Sequence, residues 1–421
     1  MDFGYSPRVM ALCRQMQDFM EDHILPRIAQ WNRAEAERTI PASLEDLKEL
    51  AKSEGLWNLF LPSLGDDEPG QRLTNLEYAP LAEIMGRVPW APEIFNCNAP
   101  DTGNMELLHM FGTPVQKTKW LDPLLNGEIR SCFAMTEPDV ASSDATNIQT
   151  SIRRDGTDYL INGRKWFITG AKHPNCRIAI VMGVTDPDGD IHRRQSMVLV
   201  PMDAPGLEVV RNIPVMQHSA SEGHCELLLR NVRVPRSNLI HEEGAGFAMA
   251  QARLGPGRIH HCMRSIGQAE LALELMCDRA AERRAFGRYL HQHGTVAEWI
   301  ALSRIEIDQA RLLVLKAAWM LDRHGAKGAA KEISMIKALV PRMQTAVCDR
   351  AMQTFGAMGL SSDTPLALLW TAGRLLRIAD GPDEVHLRTV AKLEMGEAAQ
   401  RRGATSVYMV SPSPNDQEPA R

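Results

Sequence analysis

Phe133-Ala-Met-Thr-Glu-Pro-Asp-Val-Ala-Ser-Ser-Asp144, followed by Lys165-Trp-Phe-Ile-Thr-Gly-Ala171, is the stretch on which the reading of this chain turns. The first segment reads as a strand running into a turn crowded with small hydroxyl side chains and backbone donors. The second reads as a strand that presents an aromatic ring and a hydroxyl. Together they suit a planar heteroaromatic ligand, although composition alone also allows an ordinary Asx/Ser turn inside a β domain.

The surrounding texture says which kind of domain holds the pair. From Cys132 to about Pro235 the chain is β-rich in short runs: Tyr159 to Asn162, Lys165 to Thr169, Arg177 to Val184, Ser196 to Val200 and Glu226 to Val234. Asp155-Gly156, Asn162-Gly163 and Asp188-Gly189 read as the turns between them. Before this region Leu12, Met16 and Met20 repeat at helical spacing, and Leu47, Leu50, Ala51 and Leu56 follow a turn containing Pro41. After Phe247 the helical period returns in two stripes, Ile266, Ala269, Leu273, Met276, Ala280 and Ile300, Ser303, Ile307, Ala310, Val314, Ala317, Leu321. Such narrow stripes suit long helices packed in a bundle.

The expected class is therefore α+β: an N-terminal all-α domain over residues 1–131, a middle β-barrel over 132–240, a C-terminal helical bundle over 241–410 and a disordered tail over 411–421. Strands confined to the middle argue against a doubly wound parallel sheet. No G-x-G-x-x-G, P-loop or G-x-S-x-G motif occurs, so a nucleotide cofactor must sit in another way.

Composition removes other classes. Net charge is −5 over 421 residues, with Lys and Arg scattered among carboxylates, which argues against a nucleic-acid footprint. The apolar runs fall short of the ~20 residues of a membrane span, so no membrane insertion is expected. The N-terminus, with Asp2, Glu21 and Asp22, has neither an apolar signal core nor an Arg-rich transit pattern. The eight cysteines form no C-x-x-C pair and read as free thiols of a reducing, cytoplasmic compartment. Adjacent helical positions point in different directions, so His260 and His261 read as packing or surface residues and no metal site is expected.

Beyond the opening pair, four further segments stand in one order: Arg258 before an amphipathic helix, Glu282-Arg-Arg-Ala-Phe-Gly287, Gln353-Thr-Phe-Gly-Ala-Met-Gly359 and Ile378-Ala-Asp-Gly-Pro-Asp-Glu-Val-His386. With these, the chain closely resembles the acyl-CoA dehydrogenases over about residues 5–400. The variants Glu137-Pro-Asp-Val-Ala-Ser-Ser-Asp144 and Ala379-Asp-Gly-Pro-Asp-Glu-Val-His386 resemble a subgroup whose animal members carry a fused phosphotransferase-like domain, for which this chain has no room.

The resemblance implies FAD between the barrel and a C-terminal four-helix bundle. Phe133, Met135 and Thr136 would line the flavin, with Phe167 and Thr169 against its ring. Ser142 and Ser143 would meet the FAD pyrophosphate or CoA, in either assignment. Arg283 and Phe286, with Gln353 and Gly356, match residues that reach the FAD of a neighbouring subunit, so a homodimer or homotetramer is expected, and Glu384 is placed on FAD as well. Asp380 matches the catalytic base that takes the substrate's α proton, where the family more often has Glu, while Gly257 rules out the alternative base position. The Asp380 backbone N–H would help hold the enolate oxygen, and burial against acyl chain and flavin is expected to raise its carboxyl towards working pH. Arg258 and Gly381 are placed beside the substrate. The implied activity is α,β-dehydrogenation of a fatty acyl-CoA, with electrons passed to an electron-transfer flavoprotein. A flavin oxidase of acyl-CoA or nitroalkane type, or a silent acyl-CoA-binding scaffold, are the competing readings.

Overall fold

The computed structural model describes residues 4–216 and 220–401 together with Thr405, Tyr408 and Met409; the tail expected to be disordered lies outside the described residues. The N-terminal third is helical: α1 (Pro7–Phe19), α2 (Ile28–Ala36), α3 (Leu44–Ser53), α4 (Asn75–Gly86), α5 (Ala91–Ile94), α6 (Asp101–Phe111), α7 (Pro114–Gln116) and α8 (Asp122–Leu125). Local chemistry sets their ends. Ser6 caps α1 by accepting from the Val9 amide, and Thr74 with Glu77 forms a reciprocal capping box at α4.

The middle region is a curled seven-stranded sheet. Its strands are β1 (Arg130–Ala134), β2 (Ser151–Asp155), β3 (Asp158–Thr169), β4 (Cys176–Val184), β5 (Gln195–Pro201), β6 (Leu207–Asn212) and β7 (His224–Pro235), in the order β1-β4-β2-β3-β7-β6, with β5 on β4. β1 runs parallel to β4, β2 meets β4 at Ser151 and Val184, and the other pairs are antiparallel. Alternation along β4 divides the core: Ile178, Ile180 and Met182 join the large helical cluster, while Ala179 and Val181 join the cluster enclosed by the curl. Both faces of β4 are thus apolar, as a doubly covered strand requires.

One expected turn is corrected. Asn162-Gly163 does not end a strand; it lies inside β3 at a shift in the pairing with β7. Glycine is needed there because a Cβ would sit 2.2 Å from Thr150 Oγ1. Asp155-Gly156 does make the β2–β3 hairpin and Asp188-Gly189 lies between β4 and β5. β2 and β6 lie outside the expected runs; β6 is mostly exposed and gives little burial pattern.

The C-terminal part comprises α9 (Gly246–Glu282), a two-residue hairpin of β8 (Arg284–Ala285) and β9 (Arg288–Tyr289), α10 (Gly294–Gly328, broken at Gly325), α11 (Ala330–Phe355), α12 (Leu366–Leu376) and α13 (Asp383–Gln400). The stripes read from sequence are the packed faces: every residue of the α9 stripe is buried, as is every residue of the α10 stripe except the half-buried Ile300. α4 lies hard against α9, since a Cβ on Gly267 would sit 1.9 Å from the Glu83 carbonyl and one on Gly86 2.6 Å from Arg264 Cα. From α10, Asp322 accepts from the Asn75 and Leu76 amides at 2.9 Å, supplying α4 with a second cap and tying the N-terminal helices to the bundle.

Candidate functional site

The loop after β1 is built from beneath. Lys165 on β3 is fully buried, and its ammonium donates to the Met135 carbonyl (2.8 Å), Glu137 Oε1 (2.8 Å) and the Met182 carbonyl (2.6 Å). Glu137 accepts in addition from the Gln149 and Thr150 amides at 2.7 and 2.8 Å. Burial pushes the Lys165 ammonium down to about 8, whereas the lysine and the amide donors hold Glu137 below the usual carboxylate range against the opposing effect of its burial. A buried pair satisfied on both sides fixes the loop at the cost of desolvating two charges.

On that base sit the residues expected to line a flavin. Thr136 Oγ1 donates to the Trp166 carbonyl at 2.6 Å and the Trp166 amide returns a bond to the Thr136 carbonyl at 3.1 Å. Trp166 and Phe167 occupy a second irregularity of β3, between Lys165 and Ile168. Phe167 has φ +52° and is 45 % exposed, so the bulge turns a large ring outward instead of into the curl. Thr169 Oγ1 lies 3.0 Å from His224 Nδ1. Phe133 and Met135 are half-buried against the helical core, and the Arg253 guanidinium sits 4.0 Å over the Phe133 ring. Ser142 Oγ accepts the Glu137 N–H at 2.8 Å and so closes its own loop; Ser143 is exposed.

Asp380 lies in the turn between α12 and α13, at φ +55°, followed by Gly381 at φ +104°. Aspartate tolerates the left-handed region better than most residues. Arg258 Nε donates to the Asp380 carbonyl at 2.9 Å, and His386 Nε2 lies 3.3 Å from the same oxygen. A Cβ on Gly381 would come within 2.8 Å of that imidazole nitrogen, so the close approach requires glycine. The turn's backbone bonds run from Ile378 and Ala379 to Leu375 and from Asp383 to Arg377, which leaves the Asp380 N–H outside the ladder. The Asp380 side chain is about one-quarter exposed, with Oδ2 3.4 Å from His261 Nε2.

The carboxyl of Asp380 stands, in the free protein, with neither acyl chain nor flavin against it. Burial does push its carboxyl up, but His261, Arg253, Lys337 and Arg258 together outweigh it and hold the group below its ordinary value. Arg253 and Arg258 are the fixed charges in that set, burial pushing the Lys337 ammonium down, and with its carboxyl below the ordinary value Asp380 is an ionised carboxylate at neutral pH.

Asp383, three residues on, has another job. It is buried and accepts at one oxygen from Arg342 Nε and Arg377 Nε, both 2.9 Å away, while its amide donates to the Arg377 carbonyl at 3.1 Å. It fastens the turn that carries Asp380.

The histidine pair divides as adjacent helical positions should. His260 enters the core, 3.2 Å from Asn75 Oδ1 and edge-on to Tyr78. His261 does not fit the packing-or-surface reading, because it faces Asp380. One signal for this was present in the sequence: His261 stands three residues after Arg258, on the same helix face. Arg253 was also missed, and lies two turns before His261.

The remaining candidates are displayed outward. Arg283 ends α9 and begins the β8–β9 hairpin, whose turn is Phe286 (φ +50°) and Gly287 (φ +78°). The Phe286 side chain at its tip is 97 % exposed. Gln353, Glu384 and Gly356 (φ +68°) are exposed as well, and a Cβ on Gly356 would meet nothing within 4 Å.

FAD, the group implied by the resemblance, fits this donor set. Phe133, Met135 and the outward Phe167 offer apolar surface to a tricyclic ring, Thr136 and Thr169 offer hydroxyls beside it, and Arg283, exposed and without an ion-pair partner among the described residues, offers a cation for phosphate. Among the described residues no group of three or more His, Cys, Asp or Glu is placed to hold a metal, and no helix is long and apolar enough to cross a membrane.

Comparison with known proteins agrees with this layout. Residues 6–128 match the acyl-CoA dehydrogenase N-terminal domain, 132–232 the middle domain and 244–394 the C-terminal domain. The chain is 56 % identical over 401 residues to the probable acyl-CoA dehydrogenase FadE2 of Mycobacterium tuberculosis, covering 94 % of this chain and 97 % of that protein. It is 54 % identical over 398 residues to acyl-CoA dehydrogenase family member 10 of Mus musculus, covering 93 % of this chain but 37 % of that protein, so it spans little more than a third of this animal relative. Among solved structures, the "Structure of a putative acyl-CoA dehydrogenase from Mycobacterium abscessus" superimposes with a TM-score of 0.90 at 49 % identity, covering 94 % of this chain and 100 % of that one. The FAD complex of PigA superimposes with a TM-score of 0.82 at 25 % identity, covering 94 % and 99 %.

Proposed function

The chain belongs to the acyl-CoA dehydrogenase family, and from that premise we propose that it is a FAD-dependent enzyme that oxidises a fatty acyl-CoA to the trans-2-enoyl-CoA, with Asp380 as base. The observation that carries this reading is the placement of Asp380: an ionised, partly exposed carboxylate on a left-handed turn whose carbonyl is held by Arg258. A thioester's α proton is only weakly acidic, so removing it requires a positioned base. Asp380 takes that proton at its carboxylate. Its own N–H, outside the turn's ladder, is available to the thioester oxygen as negative charge develops there.

FAD, when bound, supplies the acceptor for the β hydride. Phe133, Met135, Thr136, Phe167 and Thr169 would hold its ring and Ser143 would meet a phosphate of FAD or CoA, Ser142 being engaged with Glu137. Arg283, Phe286, Gln353, Gly356 and Glu384, all exposed on the protomer, would complete the FAD site of a second copy, so the working unit is a homodimer or homotetramer. Electrons leave to an electron-transfer flavoprotein. Among the described residues the cysteines are free, which supports a reducing, cytoplasmic setting.

Anaerobic addition of a panel of acyl-CoAs of different chain length tests the reading. Bleaching of the flavin by one of them is expected. A yellow protein that none of them bleaches would overturn the reading.

A further inference from the structure

We propose that His261 is the positioning residue of Asp380: Arg264 holds its imidazole as the neutral Nε2–H tautomer, and that N–H anchors one carboxylate oxygen of the base. The proposal rests on the assignment of Asp380 as base and goes beyond it.

Arg258, His261 and Arg264 follow one another at three-residue steps along a single face of α9. A guanidinium can only donate. The Arg264 terminal nitrogen lies 3.0 Å from His261 Nδ1, so Nδ1 accepts and the ring proton stands on Nε2. That nitrogen faces Asp380 Oδ2 at 3.4 Å. In the free protein this is a contact short of hydrogen-bond geometry, and it tightens into a bond as substrate closes over the base.

Arg264 has little freedom to move. Its other nitrogen donates to the Cys97 carbonyl at 3.0 Å, and its backbone is pressed against Gly86 of α4. The tautomer is therefore imposed by Arg264, whose guanidinium the Cys97 carbonyl holds and whose backbone α4 holds.

The charges facing His261 decide what it cannot do. Arg264 and Arg253 come from its own helix, Lys337, an ammonium that burial pushes down, from α11 and Asp380 from the α12–α13 turn, three cationic groups against one anion. Burial and these cations push the imidazole down to about 3. Protonating His261 would also place an N–H at Nδ1 against the Arg264 donor. The ring therefore does not serve as a relay, and a proton taken by Asp380 stays on Asp380. What His261 contributes is direction: one oxygen anchored, with the Asp380 carbonyl fixed independently by Arg258 and His386.

Two polar variants separate position from packing. In H261N the amide oxygen can still accept from Arg264 but the side chain no longer reaches Asp380, whereas in H261Q the terminal amide reaches it and donates. Wild type bleached by an acyl-CoA establishes the underlying reading. H261N should then keep its FAD and bind that acyl-CoA within about threefold of wild type, while flavin reduction slows by about 10- to 100-fold, the scale of a small misplacement of a reacting group. Its free-enzyme acid limb should move up, because a donor to the ionised carboxylate is lost. H261Q should recover both. Normal reduction and an unshifted limb in H261N, or no recovery in H261Q, would overturn the proposal. An activity-independent arm covers the case in which no acyl-CoA bleaches the wild type: a thermal-unfolding cycle of H261N with D380N. Strict additivity of the two shifts removes the contact, and a smaller effect of H261N in the D380N background supports it.

Discussion

Arg258 Nε and the carbonyl oxygen of Asp380 are 2.9 Å apart, which joins the middle of the long helix α9 to the turn between α12 and α13 at the residue proposed as base. The bond is made to the main chain, so Arg258 fixes where the carboxylate starts while leaving its oxygens to other partners. The arginine that the resemblance places beside the substrate thus has a stated contact of its own. Arg258→Met should retain folded protein with FAD bound but slow acyl-CoA reduction by about 10-fold or more, as expected when a base loses its placement. An unchanged reduction rate would reject the clamp.

The buried Lys165–Glu137 pair predicts a stability effect away from the chemistry. In Lys165→Met the Glu137 carboxylate keeps its two amide donors but loses its counter-charge, and the Met135 carbonyl loses its donor. Breaking one side of a buried pair costs roughly 3 to 5 kcal/mol. Thermal unfolding should fall by several degrees and bound FAD should decrease. A double Lys165→Met/Glu137→Gln variant should recover part of the loss, since it leaves no lone charge. No difference between single and double variants would show that the pair is not what holds the loop.

How much of this was legible in the sequence follows from the same residues. The stripes of α9 and α10 repeat with helical period because burial against neighbouring helices demands it, so those elements could be read directly. Asn162-Gly163 misled because its glycine answers to the nearness of Thr150, a tertiary demand that looks like turn chemistry. Asp380 was found through motif context. Its lowered carboxyl in the free protein is not legible there, because Arg253 and Lys337 approach it from α9 and α11, far away in sequence. His261 was missed for a similar reason: its partner is more than a hundred residues distant, and only the step from Arg258 pointed to it.

Acid dependence gives a further check with a definite sign. Asp380 acts as base only when ionised, and its cations hold it below the ordinary value of 3.8 in the free protein. Activity should be fully present above that value and lost as pH falls through the lowered one. The acid limb of kcat/KM, which reports the free enzyme, should therefore lie below that ordinary value. Substrate excludes water, so the limb of kcat should lie at higher pH than that of kcat/KM. A kcat/KM limb assigned to Asp380 near neutrality would contradict the charge arrangement.

The hairpin residue Arg283 is exposed on the protomer, and Phe286 at its tip is almost fully so. If they complete a neighbour's FAD site, Arg283→Ala should leave secondary structure intact and weaken FAD binding by roughly 10- to 150-fold, the equivalent of one charge-assisted hydrogen bond of about 1.5 to 3 kcal/mol. Equilibrium dialysis of FAD measures this. Unchanged affinity would leave the hairpin without that role.

The base itself is tested by a series, because Asp380 and Asp383 lie in one short turn with opposite surroundings. Asp380 is partly exposed and meets Arg258 only through its carbonyl, whereas Asp383 is buried between Arg342 and Arg377. Asp380→Asn keeps size and polarity but cannot accept the α proton, so it should retain yellow FAD while reduction by acyl-CoA slows by at least ~10²-fold, the lower bound for a positioned general base. Asp383→Asn should lower the unfolding temperature at neutral pH, with flavin reduction kept within about tenfold, or ~1.4 kcal/mol. Because its two arginines hold Asp383 below 3.8 against burial, its stabilisation is present above that pH and is lost as pH falls through the lowered value. The melting difference between wild type and Asp383→Asn should therefore narrow on acidification. Asp380→Glu tests reach, since a longer arm on the same clamped carbonyl should keep measurable reduction. Near-normal reduction by Asp380→Asn would refute the assignment, and a severe loss confined to Asp383→Asn would place the base three residues further along.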